Sequence, residues 1–186
     1  MRAGVRAVLI ALLIVGTTAL ILLAMGRPPI CTCGEIDLWV NGADSPRTSQ
    51  MLADWYSPSH VIHGFFFYAA LWLVARRWPL ERRFLVALAT ECAWELLENS
   101  EWAIQRYREA TIAIGYAGDS ILNTMSDIAM MAAGFWLARK LPVWITIAAA
   151  IALELAALAA VRDNLTLNVW MFLVPNEAIR TWQSGG

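Results

Sequence analysis

The sequence predicts an all-α integral membrane protein, a bundle of about five transmembrane helices with an amphipathic C-terminal segment. Three observations carry this expectation. Hydrophobic residues make up 59% of the chain and charged residues only 16%, the mean hydropathy is clearly positive, and apolar stretches near the length of a bilayer crossing recur along it. The formal net charge of -1 leaves no basic surface for nucleic acid, and no nucleic-acid-reading motif is present. Without an internal repeat or a low-complexity linker, residues 1–186 read as a single membrane domain.

The first span, residues 5–25, opens at Arg2 and Arg6 and then runs apolar for about twenty residues. It fits an uncleaved signal anchor: the run is longer than a signal-peptide core, and Pro28 and Pro29 crowd the small-residue site Ala24–Gly26. Further spans are expected at residues 59–74, 84–102, 119–138 and 142–161, each near the length that crosses about 30 Å of hydrocarbon. Residues 26–58 form a loop. The last apolar run, residues 165–174, is too short to span, and Trp170, Pro175 and Trp182 make residues 162–186 an interfacial tail.

Basic residues set the orientation. Arg2 and Arg6, then Arg76, Arg77, Arg82 and Arg83, then Arg139 and Lys140 fall in alternate short connections. The positive-inside rule puts these in the cytoplasm with the N-terminus, and places the loop and the C-terminus outside.

At 100° per residue, Glu91, Glu95, Glu98 and Trp102 share a wedge only about 60° wide. Asp119, Asn123, Ser126 and Met130 repeat the arrangement on the next span, with Asp127 on the flank. His60 and His63 lie at i and i+3 at the start of the second span, on one face. Given the orientation, all three helices deliver their polar groups to the outer half of the bundle. Residues 84–102 and 119–138 contain no Lys or Arg, while an ionised carboxylate at the bilayer centre costs about 3 kcal/mol on insertion scales. Compensation has to come from protons, from arginines reaching in, from a bound cation or from a wet cavity.

These residue types suit a divalent metal, zinc or magnesium not being distinguished, held by His60, His63, Glu98 and Asp119. Glu95 or Asp127 would act as general base, and Arg106, Tyr107, Arg108 and Asn123 would contact a substrate head group. The competing structural reading is that Asn99, Asn123, Ser126 and the acids are interhelical glue. The spacing His-x-x-His is not the zincin pattern. Glu154, alone in the fifth span, either joins the cluster or reaches outward. Cys31 and Cys33 leave open a local or intermolecular disulfide, a soft-metal or redox role, or free thiols.

The segments "GRPPICTCGEIDLW", "SQMLADWYSPSHVIHG", "WELLENSEWAIQRYREATI", "GYAGDSILNTMSD", "ARKLPVW" and "RDNLTLNVWMFLVPNEAI" resemble, in order and over nearly the whole chain, an uncharacterised family of small alphaproteobacterial inner-membrane proteins. The resemblance implies a multi-pass helical fold in the bacterial inner membrane, which makes the outer side periplasmic; it implies no activity. Over residues 58–138 the His-bearing helix, the "E-x-x-W-E"-type helix and "G-D-S-x-x-N-x-x-x-D" also look like the VanZ-like group, without naming a substrate.

The expected function is therefore a metal-dependent hydrolase or transferase acting on a lipid or lipid-linked substrate from the periplasmic leaflet. A proton- or cation-coupled transporter or ion-binding protein is the alternative, as is a non-catalytic assembly factor whose loop binds a periplasmic partner. Membrane lipids are the expected surroundings, and nucleic acid is not an expected partner.

Overall fold

The computed structural model describes residues 3–43 and 45–185; Arg2, one of the basic residues used for orientation, lies outside them. Among the described residues all regular structure is helical: α1 (Ala3–Ala24), α2 (Ser57–Val74), α3 (Leu80–Glu98), α4 (Glu101–Ala110), α5 (Ile121–Lys140), α6 (Val143–Val161), α7 (Leu165–Leu173) and α8 (Glu177–Gln183). The all-α class holds. Three helices are long and apolar enough to cross a membrane, at Gly4–Ala24, Ile121–Lys140 and Val143–Val161. The 18-residue α2 and 19-residue α3 have the length, but histidines in one and arginines and glutamates in the other make them more polar. The five expected spans thus resolve into three helices long and apolar enough to cross a membrane and two of similar length packed with them.

Two expected boundaries move, for the same reason. Helix α3 stops at Glu98 because Asn99 closes it and Ser100 turns extended (φ -73°, ψ 150°), its hydroxyl capping α4 by accepting from Ala103 N. Trp102 therefore leaves the acid stripe; it is exposed and packs edge-on against Phe172 of α7. Helix α5 begins only after Asp119, with Ser120 as its cap accepting from Asn123 N at 3.1 Å. Its buried face is Asn123, Thr124, Asp127, Ile128, Met131, Gly134 and Phe135. Asp127 lies on that face rather than on the flank, and Ser126 and Met130 are only half-buried.

Helices α2 and α5 make the most extensive contact and run parallel, since His60 faces Asp127 and Tyr68 faces Phe135. Two glycines allow their close approach. A Cβ on Gly64 would fall 2.5 Å from Phe135 N, and one on Gly134 would collide with Val61 O. Helix α3 runs antiparallel to both, with Glu91 beside His60 and Phe84 stacked edge-on against Phe135 at 5.4 Å. Beyond Glu91 and Asp127 the core turns fully apolar: Ala87, Leu88, Cys92, Ile128, Met131 and Phe135 are buried together. Arg76, Arg77, Arg82, Arg83, Arg139 and Lys140 all lie at that far end of the bundle.

The opposite end is covered by the loop between α1 and α2. An α-helix leaves its first N–H groups without internal partners, and here loop carbonyls meet those of α5: Ile121 N donates to Pro28 O and Leu122 N to Pro29 O. Ser120 N donates to Ser49 O, and Asn123 Nδ2 to Met51 O at 3.0 Å. Of the options left open by the sequence, Cys31 and Cys33 take the local disulfide. Cys31 packs with Val40 and Met51 in a small buried cluster under the loop.

The C-terminal helices fold back over α4 and α6. Glu154 lines the same cavity as Glu98, Asp119 and Asp127, and its carboxylate accepts from Leu165 N and Thr166 N at 2.9 and 3.1 Å, capping α7. Asp163 ties this tail down. Buried between α6 and α7, it accepts from Tyr56 Oη, Asn168 Nδ2, Gln183 Nε2 and Asn164 N.

Two predictions follow from these contacts. Gly134→Leu forces α2 and α5 apart and lowers stability by more than the 1–3 kcal/mol typical of overpacking, read as a fall in melting temperature in detergent, whereas Gly16→Ala, with nothing near its Cβ, leaves it unchanged or raised. The second concerns pH. Burial raises the Asp163 carboxyl from 3.8 to about 6, so the fold favours its protonated form; that stability is fully present below the unfolded value and is lost as pH rises through the folded one. The gap in melting temperature between wild type and Asp163→Ala should therefore shrink from pH 4 to pH 7; a gap that widens contradicts this reading.

Candidate metal centre

The centre lies where α2 and α5 begin and α3 ends. Pro58 supplies the first turn of α2, and three residues' spacing then sets His60 and His63 one above the other, their rings 5.1 Å apart. Glu91 of α3 serves both. His60 Nδ1 lies 2.7 Å from Glu91 Oε1, and His63 Nδ1 lies 3.1 Å from Oε2. A carboxylate only accepts hydrogen bonds, so with Glu91 ionised both Nδ1 atoms carry a ring proton, and in the neutral rings each Nε2 then keeps its lone pair. His60 Nε2 stands 3.8 Å from Asp127 Oδ2, too far for a hydrogen bond.

One turn on from Glu91, Glu95 is buried to 1% exposure. Its Oε1 is 3.4 Å from His60 Nδ1, yet neither of its oxygens has a hydrogen-bond partner among the described residues, and neither does Asp127 Oδ1. A buried polar atom left unmatched costs about 1–3 kcal/mol and more when charged, so these oxygens mark a place that protons, water or an ion must fill.

Glu98 and Asp119 continue the cluster toward the loop. Asp119 is fixed by three donors or acceptors: Asn99 Nδ2 and Tyr116 Oη donate to its carboxylate at 2.7 and 3.0 Å, and its own N–H donates to Asn99 Oδ1. Glu98 pairs with the Tyr107 hydroxyl. Burial first, then the adjacent acid, Glu98 for Tyr107 and Asp119 for Tyr116, pushes both phenols well above their ordinary range. They stay neutral donors.

Ligand atoms near enough to share a cation occur in three sets: His60, His63 and Glu91; His60, Glu95 and Asp127; and Glu95, Glu98 and Asp119. The four ligands expected from sequence are therefore all present but divided, His60 and His63 in one set and Glu98 and Asp119 in another. Against His60, His63, Glu98, Asp119 and Asp127 lies a cavity of about 70 Å³, whose α6 and α7 side mixes Leu153, Ala157, Leu165 and Val169 with the polar Glu154, Asn164 and Asn168. Its described lining includes acids and both histidines but no Lys or Arg.

Of the expected head-group contacts, Tyr107 and Asn123 line this cavity, though Asn123 spends its amide on the loop. Arg106 and Arg108 do not line it. Arg106 Nε donates to Phe172 O at 2.8 Å and Arg108 Nε to Tyr116 O at 2.5 Å, so both serve to dock backbone. Sequence reasoning gave Glu91 no role, although its i, i+4 relation to Glu95 was visible. It also passed over Asp54, a buried cavity-lining acid that accepts from Ser49 N and Tyr56 N; its sign was an Asp just ahead of a Ser-Pro helix start.

Residues 22–185 match the family model described as "Protein of unknown function (DUF2585)". The chain is 51% identical over 183 residues to a UPF0314 protein of Sphingopyxis alaskensis, covering 96% of this chain and 95% of the relative. It is 52% identical over 172 residues to a UPF0314 protein of Paracoccus denitrificans (92% and 89% covered), and 53% over 161 residues to one of Rhizobium etli (87% and 83%). No solved structure matches. The VanZ-like pattern gains no support from these matches. With its apolar helices this is a membrane protein of bacterial kind, and by the family model and by relatives similar over nearly their full length the chain belongs to the DUF2585 family.

Proposed function

We propose that this chain is a multi-pass protein of the bacterial inner membrane whose His/Glu/Asp centre opens to the periplasmic side, binds a divalent cation and acts as a hydrolase or transferase on a lipid or lipid-linked substrate. The observation that carries this reading is Glu95: a fully buried carboxylate, both oxygens without a hydrogen bond, between His60 and Asp127. The 3.8 Å from His60 Nε2 to Asp127 Oδ2 is close to the edge, about 3.4 Å, of a tetrahedron built on ligand bonds of about 2.1 Å. A set that mixes imidazole with carboxylates favours zinc or a similar transition ion over magnesium.

Each neighbouring residue then has a task. Glu91 fixes the ring and tautomer of His60 as a carboxylate behind a metal-bound imidazole does. His63, oriented by the same carboxylate and lining the cavity, is the group placed to take a proton from water or from a substrate hydroxyl. Glu95 and Asp127, the general bases expected from sequence, serve instead as ligands. The cation supplies Lewis-acid activation. The cavity is small beside the 300–1,000 Å³ of ordinary ligand pockets, so a substrate inserts only its reacting group. Its apolar remainder would lie along α6 and α7.

The transport alternative is less well supported, because Ala87, Leu88, Ile128, Met131 and Phe135 close the core between the centre and the basic end. Intramembrane carboxylates that serve an ion path need polar groups on both sides.

Protein purified in mild detergent should carry at least one divalent metal per chain by elemental analysis, and a His60→Ala/Glu95→Gln variant that still inserts and stays monodisperse should carry none. Glu91→Gln should retain the site with affinity lowered by about 10–100-fold. Equal metal in wild type and double variant, or none in either after remetallation, would overturn the proposal.

A further inference from the structure

We infer that the centre is dinuclear, with Glu95 bridging two divalent cations, one held by His60 and Asp127 and the other by Glu98 and Asp119, and that the pair takes the phosphoryl oxygens of a membrane-borne phosphate ester or anhydride. This rests on the metal reading above and extends it. Glu95 is the one residue common to the second and third ligand sets, and neither of its oxygens is taken by a hydrogen bond among the described residues, so each is free to face a different ion.

Charge points the same way. The three sets together hold five carboxylates and two histidines. With the histidines neutral and the acids ionised, one divalent ion leaves three uncompensated negative charges in an apolar bundle, and two ions leave one. The second set of ligands is also built to hold still: Asn99 and Tyr116 orient Asp119, and Tyr107 orients Glu98. Such donors behind a carboxylate are what ligating acids need.

The substrate class follows from what the cavity lacks. An anionic head group meets no Lys or Arg in the described lining and faces a wall of acids. It can enter only by coordination. Two ions about 3.5–4 Å apart match neighbouring oxygens of one phosphoryl group, and Leu153, Ala157, Leu165 and Val169, set among Glu154, Asn164 and Asn168 on the α6 and α7 side, offer apolar contact to a phosphate carried on a lipid that inorganic phosphate would not use.

Manganese-loaded protein in detergent tests this through stoichiometry and electron paramagnetic resonance. Wild type should bind two manganese ions per chain with an exchange-coupled spectrum, while Asp119→Asn and, separately, Glu98→Gln should each bind one with an uncoupled spectrum. One ion per wild-type chain, unchanged in both variants, would overturn the dinuclear centre and leave the mononuclear reading standing; no ion in any form would sink both. Phosphatidic acid in mixed micelles should perturb the coupled spectrum at least tenfold below the concentration that inorganic phosphate needs. The reverse order would overturn the lipid source, and no response to either would overturn the phosphoryl assignment.

Discussion

The rest of this structure depends on the burial of carboxylates among apolar helices with no Lys or Arg in the described lining to meet them. Glu91 finds two imidazoles and Asp119 finds an amide and a phenol. Glu95 finds no hydrogen bond among the described residues. Because an unmatched charge in a low-dielectric interior costs several kcal/mol, packing has to be good enough to hold the arrangement together. The glycine contact between α2 and α5 and the aromatic layer around Phe135 supply that packing directly beneath the acids.

The loop and the tail answer the same constraint from the other side. Helix ends leave backbone groups unmatched, and an open end would also flood the acids with water. Here Pro28, Pro29, Ser49 and Met51 lend their carbonyls to the start of α5, and Glu154 closes the start of α7. Both covers are polar contacts, the first between segments far apart in sequence and the second across 11 residues. They set the cavity beneath a polar rim and against the side chains of α6 and α7, and an apolar core shuts it toward the basic end.

How much of this was legible in the sequence depended on whether helical periodicity applied. His60, His63, Glu91 and Glu95 sit inside unbroken helices, so their shared face followed from spacing alone. Trp102 and Asp119 were misplaced because a period of 3.6 residues cannot register a cap: Ser100 starts a new helix after α3, and Ser120 starts α5 one residue past Asp119. Both are serines ahead of helical stretches, so the signal existed but was weaker than the apolar run across it. The docking of Arg106 on Phe172 O joins segments 66 residues apart, and the contacts of Arg108 and Glu154 each cross a break between helices, so no helical period carries them. The choice among states of Cys31 and Cys33 was likewise beyond spacing.

The central claim is that His60 and the orphaned Glu95 meet at a cation. X-ray absorption at the edge of the metal bound by the wild-type protein tests it most directly. The account predicts a nitrogen–oxygen shell near 2.0–2.1 Å with the outer-shell scattering of imidazole, and loss of that imidazole signal in His60→Ala. An all-oxygen shell, or an imidazole signal that survives in His60→Ala, would contradict it.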